Sequence, residues 1–172
     1  MNDSRIWMHP VSMTEIAPPQ LKTIGNCVYE ATKDGLELAR CMPTGDSLLL
    51  PSTHNGSPLV AIGAGALSNS GDLRQVLLPR TIRCIGDYAF FQCSQLTEVR
   101  IKPGVESIGD QAFAGCSKLQ LVSIPASVVT IGKDAFLGAK DLVIRGEVDS
   151  PIHRYALAHN LTFVAACDPN AA

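Results

Sequence analysis

The chain is poor in aromatic side chains, which make up 5% of its 172 residues, and in charge, with 17% Asp, Glu, Lys and Arg. Neither sign dominates, since 14 Lys and Arg stand against 16 Asp and Glu for a net charge of −2. Without a basic excess to neutralise phosphates, nucleic acid is not expected as the main partner. No apolar run approaches the roughly 18 residues that a spanning helix needs, so no membrane span is expected. Cys-x-x-Cys and His-Glu-x-x-His are both missing, and none of the cysteines at 27, 41, 84, 93, 116 and 167 is followed by a histidine at metal-ligand spacing. No metal and no cofactor are therefore expected. The opening residues, Met1 to Pro10, lack the apolar core of a signal peptide. If Met1 is the native start, the expected compartment is the cytoplasm and the expected thiols are reduced.

What is present is apolar and periodic. Apolar residues make up 46% of the chain, with 14 Gly and 11 Pro, a composition that folds and turns often. Ile-Gly recurs at Ile62-Gly63, Ile85-Gly86, Ile108-Gly109 and Ile131-Gly132, each 23 residues from the last. Leu73, Leu96, Leu119 and Leu142 keep the same beat, as do Val76, Val99 and Val122, and then Leu78, Ile101 and Ile124. Ala66-Leu67, Ala89-Phe90, Ala112-Phe113 and Ala135-Phe136 follow it too, with a small column of Ser70, Cys93, Cys116 and Ala139. So many columns on one period define a solenoid, in which each unit buries its apolar edge against the next.

Within a unit, Leu96-Thr97-Glu98-Val99-Arg100-Ile101 alternates like a half-buried strand. A Val-x-x-Ile-Gly turn follows, in which glycine is expected to take a positive φ at a tight corner. The next segment, such as Asp110 to Cys116, is too short for a stable helix and is expected to form one helical or 3-10 turn.

The pattern Leu-x-x-Val-x-Ile-Pro-x-x-Val-x-x-Ile-Gly-x-x-Ala-Phe-x-x-Cys-x-x-Leu, seen best from Leu96 to Leu142, resembles the BspA-type leucine-rich repeat. The likeness runs over about residues 48 to 144, with some five extra residues around Thr53 to Ser57 in the first unit. The fold class it implies is α/β: a right-handed leucine-rich repeat solenoid with a parallel β-sheet and short helical or 3-10 turns. One domain is expected over 21–163, with an N-terminal hairpin cap at 21–47, repeats at 48–144 and a C-terminal helix and strand cap at 145–163. The hairpin is read around Asp34-Gly35, and the terminal helix over Ser150 to Asn160, with Leu161-Thr162-Phe163 as a closing strand. Residues 1–20 and 164–172 are read as tails.

Nothing in the chain reads as an enzyme. The histidines at 9, 54, 153 and 159 occupy no column of the repeat, His54 lying in the insertion of the first unit, and Cys93 and Cys116 are expected to fill the core as buried free thiols. Glu98, Glu106 and Asp110 read as solvent-facing acids. In a leucine-rich solenoid the residues between the buried strand positions form an exposed, concave sheet face. The expected partner-binding residues are therefore Gln75, Leu77, Glu98, Arg100, Leu121 and Ser123, with Leu77 and Leu121 apolar where exposure is expected. The resemblance implies a non-catalytic module that binds a protein or host-surface partner in recognition or adhesion, at the cell surface or secreted. An intracellular scaffold or regulatory adaptor is the alternative.

Overall fold

The computed structural model describes residues 26–166. The N-terminal tail, the first residues of the expected N-cap, Cys167 and the last residues of the C-terminal tail lie outside them. In chain order the elements are β1 (Asn26–Thr32), β2 (Gly35–Met42), β3 (Ser47–Leu49), β4 (Thr53–His54), β5 (Ser57–Ile62), β6 (Gln75–Leu77) and β7 (Cys84–Ile85). They continue with β8 (Glu98–Arg100), β9 (Ser107–Ile108), β10 (Leu121–Ser123), β11 (Thr130–Ile131), β12 (Val143–Gly146), α1 (Pro151–Ala158) and β13 (Thr162–Ala165).

The solenoid carries two sheets. One has six parallel strands in the order β13-β12-β10-β8-β6-β3, and the other runs β1-β2-β5-β7-β9-β11 with β4 paired to β5. The second sheet lies where the sequence suggests only a Val-x-x-Ile-Gly turn. Its repeat strands are two residues long, too short for alternation to register. The isoleucines Ile62, Ile85 and Ile108 are buried in it, in the same core as Val76, Val99 and Val122 of the six-stranded sheet.

The glycine after each isoleucine has another purpose than the expected positive φ, since Gly63, Gly86, Gly109 and Gly132 do not adopt it. These glycines let coils approach. A Cβ on Gly86 would lie 2.8 Å from the Ala64 backbone nitrogen, and one on Gly109 would lie 2.5 Å from that of Asp87.

The segment after the glycine turns without becoming a continuous helix. Alternate N–H groups donate to the third residue back, as from Phe91 to Tyr88 at 2.9 Å, while those between donate to the next coil, as from Phe90 to Ala112 at 2.7 Å. Two left-handed residues per coil, such as Tyr88 (φ 57) and Gln92 (φ 56), break any helical run. Inside the turns Phe90, Phe113 and Phe136 form the expected column, with ring centroids 5.0 and 5.3 Å apart and planes within 4°. Phe90 and Phe113 are wholly buried.

The ends are capped differently. At the N-terminus the β1–β2 hairpin extends the seven-stranded sheet, with β2 parallel to β5. A bulge at Val28/Tyr29 shifts its register so that Cys27 faces Cys41, and the two are bridged. Without the bulge Cys27 would face Arg40, so spacing alone could not reveal the pair. The expectation of reduced thiols therefore fails for Cys27 and Cys41; Cys84, Cys93 and Cys116 are free. The extra residues of the first unit form the β4–β5 hairpin, with Asn55 (φ 51) and Gly56 (φ 81) at its tip.

At the C-terminus the Ser150 side chain caps α1, with Pro151 at its start. Ile152 and Ala156 are buried beneath the helix, and Tyr155 closes the phenylalanine column edge-on, 5.9 Å from Phe136. Strand β13 then pairs parallel to β12 and runs to Ala165, two residues beyond the expected boundary at 163.

Candidate functional site

The six-stranded sheet sets its outward residues in two rows. Gln75, Glu98 and Leu121 stand side by side, continued by Ser47 at one end and by Val143 and Thr162 at the other. Leu77, Arg100 and Ser123 form the second row, continued by Leu49 and by Arg145 and Val164. All six sequence-derived residues thus share one face. Between them Val76, Val99 and Val122 point into the core, so each row can vary without touching it.

The face has a charged centre between two apolar patches. Arg100 Nε donates to Glu98 Oε1 at 2.6 Å, two residues along one strand. Leu77 is half-buried beside Leu49, which is 38% exposed. Leu121 is half-buried beside Val143 on the far side of the ion pair. Leu77 and Leu121 are therefore separated by the charged strand rather than joined in one patch. Sequence reasoning missed Leu49 and Val143. The run Leu48-Leu49-Leu50 signals the first. The second is hidden because Leu121 pairs with Val143, 22 residues on, where the repeat beat points to Ile144.

The acids read as solvent-facing each have a partner, Glu98 in Arg100. Glu106 accepts from Arg83 Nη1 at 3.0 Å, beside β9 and β7 of the seven-stranded sheet. Asp87 Oδ1 accepts the Asp110 N–H at 2.8 Å, and Asp110 Oδ1 accepts the Lys133 N–H at 2.6 Å, so these carboxylates staple coil to coil. Cys93 and Cys116 are buried and donate to the carbonyls of Leu67 and Phe90 at 3.1 and 3.2 Å. The contact with Cys93, together with burial, pushes the Cys116 thiol well up. Among the described residues no group of three His, Cys, Asp or Glu could hold a metal ion, and no helix is long and apolar enough to cross a membrane.

Stacked coils of about 23 residues, a continuous parallel sheet and a shared apolar core define a leucine-rich repeat solenoid. Residues 50–144 match the model of the BspA type leucine rich repeat region in six copies, and the chain belongs to that family. A leucine-rich repeat protein from Bacteroides capillosus is similar at 27% identity and a TM-score of 0.64, over 73% of this chain and 99% of that one. The T. pallidum leucine rich repeat protein matches at 27% identity and a TM-score of 0.61, over 69% and 68% of the two chains. A leucine rich cell surface protein from Faecalibacterium prausnitzii shares the fold at 24% identity and a TM-score of 0.55, over 76% of this chain and 40% of its own. No curated protein matches the chain.

Proposed function

We propose that the chain is a non-catalytic module that binds a protein partner through the outer face of the six-stranded sheet, in recognition or adhesion. The observation that supports this reading is the shared register of β6, β8 and β10, which sets Gln75, Leu77, Glu98, Arg100, Leu121 and Ser123 on one rigid surface. Leu77 with Leu49, and Leu121 with Val143, supply apolar contact. The Glu98–Arg100 pair governs orientation more than affinity. The Cys27–Cys41 bridge favours this reading over an intracellular adaptor, because disulfides persist in oxidising compartments.

The test is capture of the partner from the native source by the parent chain and by a Leu77→Asp, Leu121→Asp double variant. Val129→Asp serves as control, since Val129 is 67% exposed next to β11 on the other sheet. Capture should be lost only in the double variant, which should unfold within a few degrees of the parent. Capture that survives it overturns the sheet-face reading, and if capture is then lost on altering the β4–β5 or β1–β2 hairpin the site lies at the N-terminal end.

A further inference from the structure

The two outward rows of the six-stranded sheet do not balance in charge. They hold one carboxylate, Glu98, and two guanidinium groups, Arg100 and Arg145. Arg100 Nε already donates to Glu98 Oε1 at 2.6 Å. Arg145 is exposed, and among the described residues its guanidinium has no hydrogen bond and no ion pair. The nearest carboxylate along the chain, Glu147, lies past the end of β12 and does not pair with it. One positive charge is left over on this face.

The register gives that charge a setting. Ser123 of β10 pairs with Arg100 of β8 on one side and with Arg145 of β12 on the other. Neighbouring strands lie about 4.8 Å apart, so the two cations flank a short hydroxyl, with roughly 9.6 Å between their backbones. Ser123 is half-buried, and its hydroxyl has no partner among the described residues. A carboxylate placed here can accept a fork of two N–H bonds from Arg145 and a third bond from Ser123. In the next row the same strands β10 and β12 carry Leu121 and Val143, half-buried side by side. An apolar surface therefore adjoins a cationic one.

We infer that the protein partner meets this part of the face with an extended segment in which an apolar residue stands two positions from an acidic one. The apolar side chain rests on Leu121 and Val143, and the carboxylate on Ser123 and Arg145. The inference rests on the sheet-face reading and adds the chemistry of the partner. The spacing fits, because residues i and i+2 of an extended chain share one side about 6.7 Å apart, which is also the separation of Leu121 from Ser123 along β10. The charge fits too. A carboxylate matches the single excess cation, whereas the second charge of a phosphate would be repelled by Glu98.

The experiment titrates the isotope-labelled full chain with N-acetyl-Ala-Leu-Ala-Glu-Ala amide, followed by amide NMR signals. Leu121, Ser123, Val143 and Arg145 should move saturably, while Ser107 and Thr130 of the seven-stranded sheet stay still. The form of the peptide with Gln for Glu should bind roughly threefold to fivefold more weakly, the upper part of the range for an exposed ion pair. Added salt should shrink that difference. Arg145→Gln should erase it without moving Tm, and Arg145→Lys should keep most of it. No saturable movement at the four residues up to the solubility of the peptide overturns the inference. So does equal affinity for the Glu and Gln forms, or a preference that survives Arg145→Gln. An equal response to inorganic phosphate also overturns it, because the site then needs no apolar neighbour. In each case the sheet-face reading stands if Leu77→Asp, Leu121→Asp still abolishes capture. Capture that survives the double variant overturns that reading and this inference with it.

Discussion

Phe113→Ala is the sharpest probe of the stacked core. Phe113 is wholly buried, with Phe90 at 5.0 Å on one face and Phe136 at 5.3 Å on the other. Phe-to-Ala changes in cores cost about 3–5 kcal/mol, and the value depends on how far the surroundings collapse. Here they are held apart. The Phe90 N–H is bonded to Ala112 at 2.7 Å and the Phe113 N–H to Ala135 at 2.8 Å, so the coils keep their spacing when the ring is removed. The two flanking rings also each lose a stacking partner, worth roughly 0.5–1.5 kcal/mol. The expected loss is therefore near the top of the range, about 4–5 kcal/mol, or some 8–20 °C in Tm for a chain of this size. Phe136→Ala should cost less, because one of its faces meets only the edge of Tyr155 in the terminal cap. Urea unfolding followed by far-ultraviolet circular dichroism measures both, with the m-value checking that unfolding stays cooperative. A Phe113→Ala loss below about 1 kcal/mol, or a smaller loss than that of Phe136→Ala, would refute the reasoning that hydrogen-bonded coils prevent collapse.

Reduction of Cys27–Cys41 should lower stability by about 3 kcal/mol, the loop-closure value for a bridge of this span, and a Cys27→Ser, Cys41→Ser chain should be insensitive to reductant in the same thermal melt. Gly109→Ala should destabilise by at least about 1–3 kcal/mol in denaturant unfolding, because the added methyl meets the Asp87 backbone, whereas Gly71→Ala, with open space around it, should be nearly silent. Burial raises the Tyr155 pKa above its usual value of 10.0, so the folded state holds the neutral phenol more firmly than the unfolded chain. That contribution is complete below pH ~10 and is lost as the pH rises through the raised value, so Tyr155→Phe should flatten the alkaline fall of the melting temperature.

The period, the inward columns and the chemistry of the caps were legible because each is local or repeats in the chain. Burial of Val76, Val99 and Val122 follows from alternation, and the phenylalanine column follows from a beat shared with alanine and leucine. The helix at 151–158 was readable from Ser150 and Pro151, because caps act on the nearest turn of backbone. The exposed face could be named from the same alternation, so six of its residues were placed correctly side by side.

Other features depended on contacts between coils, which no single unit contains. The glycine column looks like a set of tight corners, yet only the distance to the preceding coil explains it. The second sheet exists because strands of two residues gain hydrogen bonds from neighbours that only stacking brings near. One bulge decided that Cys27 meets Cys41, and one missing residue before β12 decided that Val143 rather than Ile144 joins Leu121. A strand's side chains alternate with period two, so a slip of one residue exchanges inside for outside. Periodicity along the chain therefore determined which columns this solenoid has, while register between its coils decided what each column touches.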